Sequence, residues 1–171
     1  MQRPASVTVF GILNIVFAVL GVFGLVATLV LFQLPATTNN PVVKIIHNTP
    51  AYAAWLKLSI PLGLLSCTAL LAAGIGLLRL KSWARTLSIA YAIYAVVFGI
   101  LAMVVNFIFL FRPMLDQARQ QTGPEAAGAI GGAIGGSIGG CFGLIYPVLL
   151  LIFMLRPTIV AAFRPPAPPQ V

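Results

Sequence analysis

From Val7 to Phe32 the chain runs 26 residues without an Asp, Glu, Lys, Arg or His. As a helix that run is about 39 Å long, more than the ~30 Å hydrocarbon core of a bilayer, so it can cross with some tilt. A cleaved signal peptide is the competing reading, and Met1-Gln2-Arg3 suits its front end. The apolar stretch far exceeds the ~7–15 residues of a signal core, and no small-residue cleavage site follows it. Three later runs, 58–78, 86–111 and 126–155, also lack Asp, Glu, Lys, Arg and His.

Composition removes the alternatives. The chain is 60% apolar and 7% charged, with a mean hydropathy of +1.06, whereas a soluble domain carries ~25% charged residues. Too few polar side chains exist to coat a water-soluble globule, which excludes a soluble enzyme, a disordered chain and a cysteine-stapled secreted domain. The expected fold class is an all-α membrane protein: four transmembrane helices in an antiparallel bundle, with a glycine-rich fourth helix. It forms one domain over residues 1–171, with spans at about 7–32, 58–78, 86–111 and 126–155 and a proline-rich, extended tail at 164–171.

The net charge of +8 comes from cations scattered over separate segments. They form no continuous stripe for nucleic acid, and basic residues gather at membrane edges. Four spans place both termini on one side, together with Arg3, Arg79, Lys81, Arg85, Arg156 and Arg164. The other side holds Lys44, Lys57, Arg112 and Arg119, with both acids, Asp116 and Glu125. The positive-inside rule then puts both termini in the cytoplasm of a cell with, as the expected location, a bacterial inner membrane.

Local signals divide the chain further. Asn40-Pro41 and Thr49-Pro50 each set a capping residue before a proline suited to a first helical turn. The short apolar stretch Val42–His47 between them reads as a surface helix or an extended interfacial piece. Tyr52 and Trp55 suit a headgroup-level aromatic belt. Pro61 and Pro147 are expected to bend their helices, Ser82 to cap the third span, and Arg112-Pro113 to end it.

Chemistry-bearing residues are sparse. No ionisable group inside a span offers a proton relay or ion route, and one His, one Asp and one Glu show no catalytic or metal-binding spacing. No enzyme activity, metal or cofactor is expected. His47 reads as a solvated loop imidazole, and Cys67 and Cys141 as small apolar fillers rather than palmitoylation sites. Asn14 and Asn106 read as interhelical hydrogen-bonding groups ahead of pathway-lining ones, and Tyr91 and Tyr94 as packing. Arg79, Lys81 and Arg85 are a topology determinant and a candidate contact for anionic lipid headgroups.

The fourth span carries the sharpest pattern. Eight of the sixteen glycines form two rows at spacing four: Gly128, Gly132, Gly136, Gly140 and Gly131, Gly135, Gly139, Gly143. At ~100° per residue they sweep roughly half the helix, with Ile130, Ile134 and Ile138 opposite. Each glycine costs a helix ~1 kcal/mol relative to alanine in water, so close helix packing is expected to offset the row. The expected occupant of the groove is a helix of the same chain, or else the same helix of a second subunit.

The segments Arg3–Asn14 and Gly74–Arg85 resemble small bacterial four-span integral membrane proteins. That resemblance implies a four-helix bundle and brings no activity with it. The chain departs from claudin-like tetraspan proteins, because its first loop, Gln33–Lys57, has no cysteine pair. The functional expectation is a structural or interaction protein acting through helix packing. Its partners are membrane lipid and either a second copy or another membrane protein, with no nucleic acid. The alternative is a homo-oligomeric channel or small-solute pore built on the glycine helix; an enzyme accessory subunit is a third reading.

Overall fold

The computed structural model describes residues 5–35, 37, 38, 40–120, 124–157 and 159, and all regular structure among the described residues is helical. The order is α1 (Ala5–Gln33), α2 (Pro41–Asn48), α3 (Pro50–Leu78), α4 (Ser82–Asn106), a π-helical turn (Phe107–Phe111), α5 (Arg112–Gln120) and α6 (Pro124–Met154). Three helical stretches are long and apolar enough to cross a bilayer: Ser6–Gln33, Pro50–Leu78 and Ser82–Asp116. The apolar stretch Gly143–Met154 of α6 is shorter. Arg3 and the tail 164–171 lie outside the described residues.

Residues 42–47 fold as a helix. The Asn40 side-chain oxygen accepts from the Val42 N–H at 2.9 Å and the Val43 N–H at 3.4 Å, and Pro41 occupies the first turn. Val43, Ile45 and Ile46 are buried, so α2 folds down onto the bundle. Thr49 acts differently from Asn40: its side chain makes no capping bond, and α3 begins directly at Pro50, eight residues before the expected span. Both Pro61 and Pro147 sit inside helices that continue through them.

At the other end of α3 the chain turns within three residues. The Lys81 N–H reaches back to the Gly76 carbonyl at 2.9 Å and the Leu80 N–H to the Leu77 carbonyl at 3.0 Å, closing a Schellman motif. Leu80 takes the left-handed position, φ 52°, that glycine usually fills. The cap of α4 is Lys81 rather than Ser82, which is already helical, and Lys81 makes no side-chain capping bond.

Arg112-Pro113 does not end the third span. The helix widens for one turn, with the Arg112 N–H bonded to the Phe107 carbonyl five residues back, and then resumes as α5. Pro113 has no N–H and its ring crowds the carbonyl four residues earlier; the wider turn just before it accommodates both demands.

Helix crossing is closest between α1 and α3. A Cβ built on Gly74 would lie 2.8 Å from the Gly11 carbonyl oxygen and 2.9 Å from Ile15 Cγ1, so two backbones meet where neither residue has a side chain. Two residues later, a Cβ on Gly76 would lie 2.5 Å from Ala84 Cβ, which lets α4 start against the end of α3. One buried cluster joins α1, α3, α4 and α6 through residues such as Val7, Leu70, Leu77 and Leu150. A second, containing Ile45, Ile46, Tyr52 and Met114, closes the α2 end.

Candidate functional site

The second half of α6 is bonded into the bundle by specific contacts. The Tyr146 hydroxyl donates to Asn14 Oδ1 of α1, in a fully buried position. Tyr146 also packs on Phe17 at 4.2 Å between ring centroids, and Phe153 on Phe10 at 4.8 Å. At the last turn Arg85 Nε donates to the Met154 carbonyl at 3.0 Å, placing a cation at a helix C-terminus where it offsets the helix dipole. The Arg156 guanidinium lies over the Phe153 ring, 4.6 Å from its centroid.

The first half of α6 is different. Gly131, Gly135, Gly139, Gly140 and Gly143 are exposed, and a Cβ on any of them would meet nothing within 4 Å. The expectation that a helix of the same chain fills this strip is therefore not met over these five residues. α5 also packs against α6, and α4 meets α6 at Leu144, where a bulky side chain sets the spacing: a Cβ on Gly99 would lie 2.6 Å from Leu144 Cδ2. The surroundings of Gly128, Gly132 and Gly136, and of the isoleucine ridge, lie outside the described residues.

The row Gly131, Gly135, Gly139, Gly143 winds gradually around α6 toward the groove side. Successive members of the Gly131, Gly135, Gly139 row advance ~40° around α6, so these three look away from the side that carries Gly140 and Leu144. Gly140, Gly143 and Pro147 instead border a groove of about 610 Å³ between α3, α4 and α6. On the α4 side its wall runs from Tyr91 past Phe98 and Met103 to Asn106 and Phe111. Tyr94 and Phe98 stack at 5.4 Å, and Trp55 stacks on Phe98 at 5.4 Å, making this wall stiff and aromatic.

Asn106 marks the polar end of the groove. Its Oδ1 accepts from the Tyr52 hydroxyl at 2.8 Å, tying α3 to α4, and its Nδ2 donates to the Ala102 carbonyl at 2.8 Å. The π-helical turn starts at the next residue, and such turns concentrate at functional sites. The sequence marks Asn106 as a hydrogen-bonding residue but carries no sign of the groove, whose walls come from three helices.

The other singled-out residues are spread apart. Arg79 and Lys81 are exposed on the α3–α4 turn, while Arg85 is half-buried against α6. His47 Nε2 lies 3.2 Å from the Leu34 carbonyl, closing the loop before α2. Cys67 is a free, half-buried thiol against α1. Among the described residues no group of His, Cys, Asp or Glu is placed to hold a metal ion. No protein-family model, curated protein or solved structure matches this chain.

Proposed function

We propose that this chain is a four-span integral membrane protein of the bacterial inner membrane, with both termini cytoplasmic. On this reading it performs no catalysis and acts by holding a second membrane helix, from another copy or another membrane protein, on the Gly131, Gly135, Gly139 face of α6. The observation that carries the reading is the openness of that face: three glycines at spacing four, all exposed, with no neighbour where a Cβ would stand. A side-chain-free strip permits backbone-to-backbone approach, which is how helices associate in lipid, where hydrophobicity supplies no drive between them. The same chain uses that device internally at Gly11 and Gly74. Arg79 and Lys81, exposed on the cytoplasmic turn, supply contacts for anionic headgroups.

Photo-crosslinking from position 135 in native membranes tests the proposal. A discrete crosslinked band, lost when Gly131 and Gly139 are changed to Leu, is the expected result. Crosslinks to lipid alone, with a strictly monomeric mass in mild detergent, overturn it.

A further inference from the structure

The groove between α3, α4 and α6 borders α6 from Gly140 to Pro147, C-terminal to the proposed helix-binding strip and roughly 80–140° around the helix from its middle, and its dimensions point to a different occupant. Along α4 it extends from Tyr91 to Phe111, about 30 Å at 1.5 Å per residue. A volume of about 610 Å³ over that length corresponds to a slot roughly 8 Å wide between its walls, once the radius of a water molecule is allowed on each side. A helix, ~10–12 Å across, cannot enter so narrow a slot. A single hydrocarbon chain, whose carbons approach their neighbours to ~4 Å, fills it.

The lining agrees. Phe98, Met103, Phe107 and Leu144 present apolar surface, and Gly140 and Gly143 form a smooth floor without side chains. Polar groups stand at both ends, Ser66, Tyr91 and Tyr94 at one and Asn106 toward α2 at the other, with the apolar stretch between them. A side-chain amide carries two N–H donors and an oxygen with two lone pairs. One donor goes to the Ala102 carbonyl and one lone pair to the Tyr52 hydroxyl. The Tyr52 bond also fixes which way the amide faces. Asn106 stands five residues, or about 7–8 Å, inside the end of the apolar run at Phe111. That is close to the boundary where glycerol esters of a bilayer reside.

We infer that this groove binds one acyl chain of a membrane glycerolipid from the α2-side leaflet, with the second Asn106 Nδ2–H donated to the ester carbonyl. The chain lies along Phe98 and Met103 over Gly140 and Gly143. The headgroup stays in the interface and does not determine binding; the ester oxygen and the slot width do. A substitution that adds bulk to the floor closes the site, and one that removes the amide loosens the lipid at its ester end.

Native mass spectrometry of the full chain, purified in mild detergent, reads this directly. The wild type is expected to retain one glycerolipid per chain. Gly143→Leu is expected to reduce the retained fraction at least tenfold, while Gly135→Leu, about two turns away and outside the groove lining, leaves it unchanged. Circular dichroism and thermal unfolding in the same detergent establish that Gly143→Leu is folded. A second arm varies the lipid: after delipidation, the protein is offered a diacyl phosphatidylglycerol and its ether-linked analogue in equal amounts. Preference for the ester form by several-fold, abolished in Asn106→Leu, supports the carbonyl contact. Absence of retained lipid on the wild type, equal retention by folded Gly143→Leu, or equal binding of ester and ether forms overturns the inference. Loss of lipid with intact crosslinking from position 135 rejects this site alone.

Discussion

The Tyr146 hydroxyl of α6 donates its hydrogen bond to Asn14 of α1, and 132 residues of chain separate the two. Asn14 is fully buried, and its Nδ2 finds no partner among the described residues. The pair is thus a half-satisfied polar contact inside an apolar bundle, and it sets the rotation of α6 against α1. Interhelical hydrogen bonds in membranes average ~0.6 kcal/mol and reach ~1.7 kcal/mol. A double-mutant cycle with Tyr146→Phe and Asn14→Ala, read by unfolding in detergent, is expected to give a coupling of about 1 kcal/mol. Independent, additive effects would show that the bond carries no stability.

Two glycines that look alike in sequence should behave oppositely. At Gly74 a methyl group meets the Gly11 carbonyl and Ile15, neither of which is the free end of a long side chain. Gly74→Ala is therefore expected to push α1 and α3 apart and cost about 1–3 kcal/mol, the range for overpacking. At Gly135 a methyl group meets nothing. Gly135→Ala should leave the isolated chain as stable or raise its stability by up to ~1 kcal/mol through helix propensity. Comparing the two melting temperatures in the same detergent checks both directions.

This contrast shows what the sequence could and could not convey. Hydropathy made the spanning helices legible, because a run such as 7–32 has no other stable home. Asn40-Pro41 was legible as a helix start, since the cap is a contact among neighbours in sequence. The glycine rows of α6 are legible as a pattern, but not their surroundings: packing depends on which helices arrive, and no atom stands within 4 Å of a Cβ built on Gly131, Gly135 or Gly139. Gly11 and Gly74, where two backbones do touch, are single glycines with no periodic mark. The type and position of Tyr52 suit an interfacial belt but give no sign that its hydroxyl donates to Asn106, a partner 54 residues away. The groove escaped for the same reason.

Arg85 illustrates a cation with a second task. Positive residues at a membrane edge set topology, yet this one donates from Nε to the last carbonyl of α6. Hydrogen bonds to charged groups contribute ~1.5–3 kcal/mol, and partial exposure of Arg85 favours the lower end. Arg85→Gln is expected to speed amide exchange over the final turn of α6 about tenfold, the equivalent of ~1.4 kcal/mol. Arg79→Gln, exposed on the turn, should leave that exchange unaltered. Equal protection in both variants would remove the capping role.

The π-helical turn at Phe107–Phe111 makes the strongest demand on a deletion experiment. Such a turn holds one residue more than the α-helical turn it replaces. Before it stands Asn106, bonded to Tyr52; after it stands Met114, buried in the cluster with Ile45 and Ile46. Deleting the exposed Ile108 restores an ordinary helix while keeping both anchors in phase, so the bundle should survive with little loss of stability. Deleting the equally lipid-facing Val97 is a different matter. It lies in plain α-helix, so every later residue rotates by ~100°, carrying Asn106 away from Tyr52 and Met114 out of its cluster. A cysteine at position 114, probed with a water-soluble thiol reagent, distinguishes the cases. It should stay protected in the Ile108 deletion and react at least tenfold faster in the Val97 deletion. Equal reactivity in the two would mean that the widened turn does not set the register between α4 and α5.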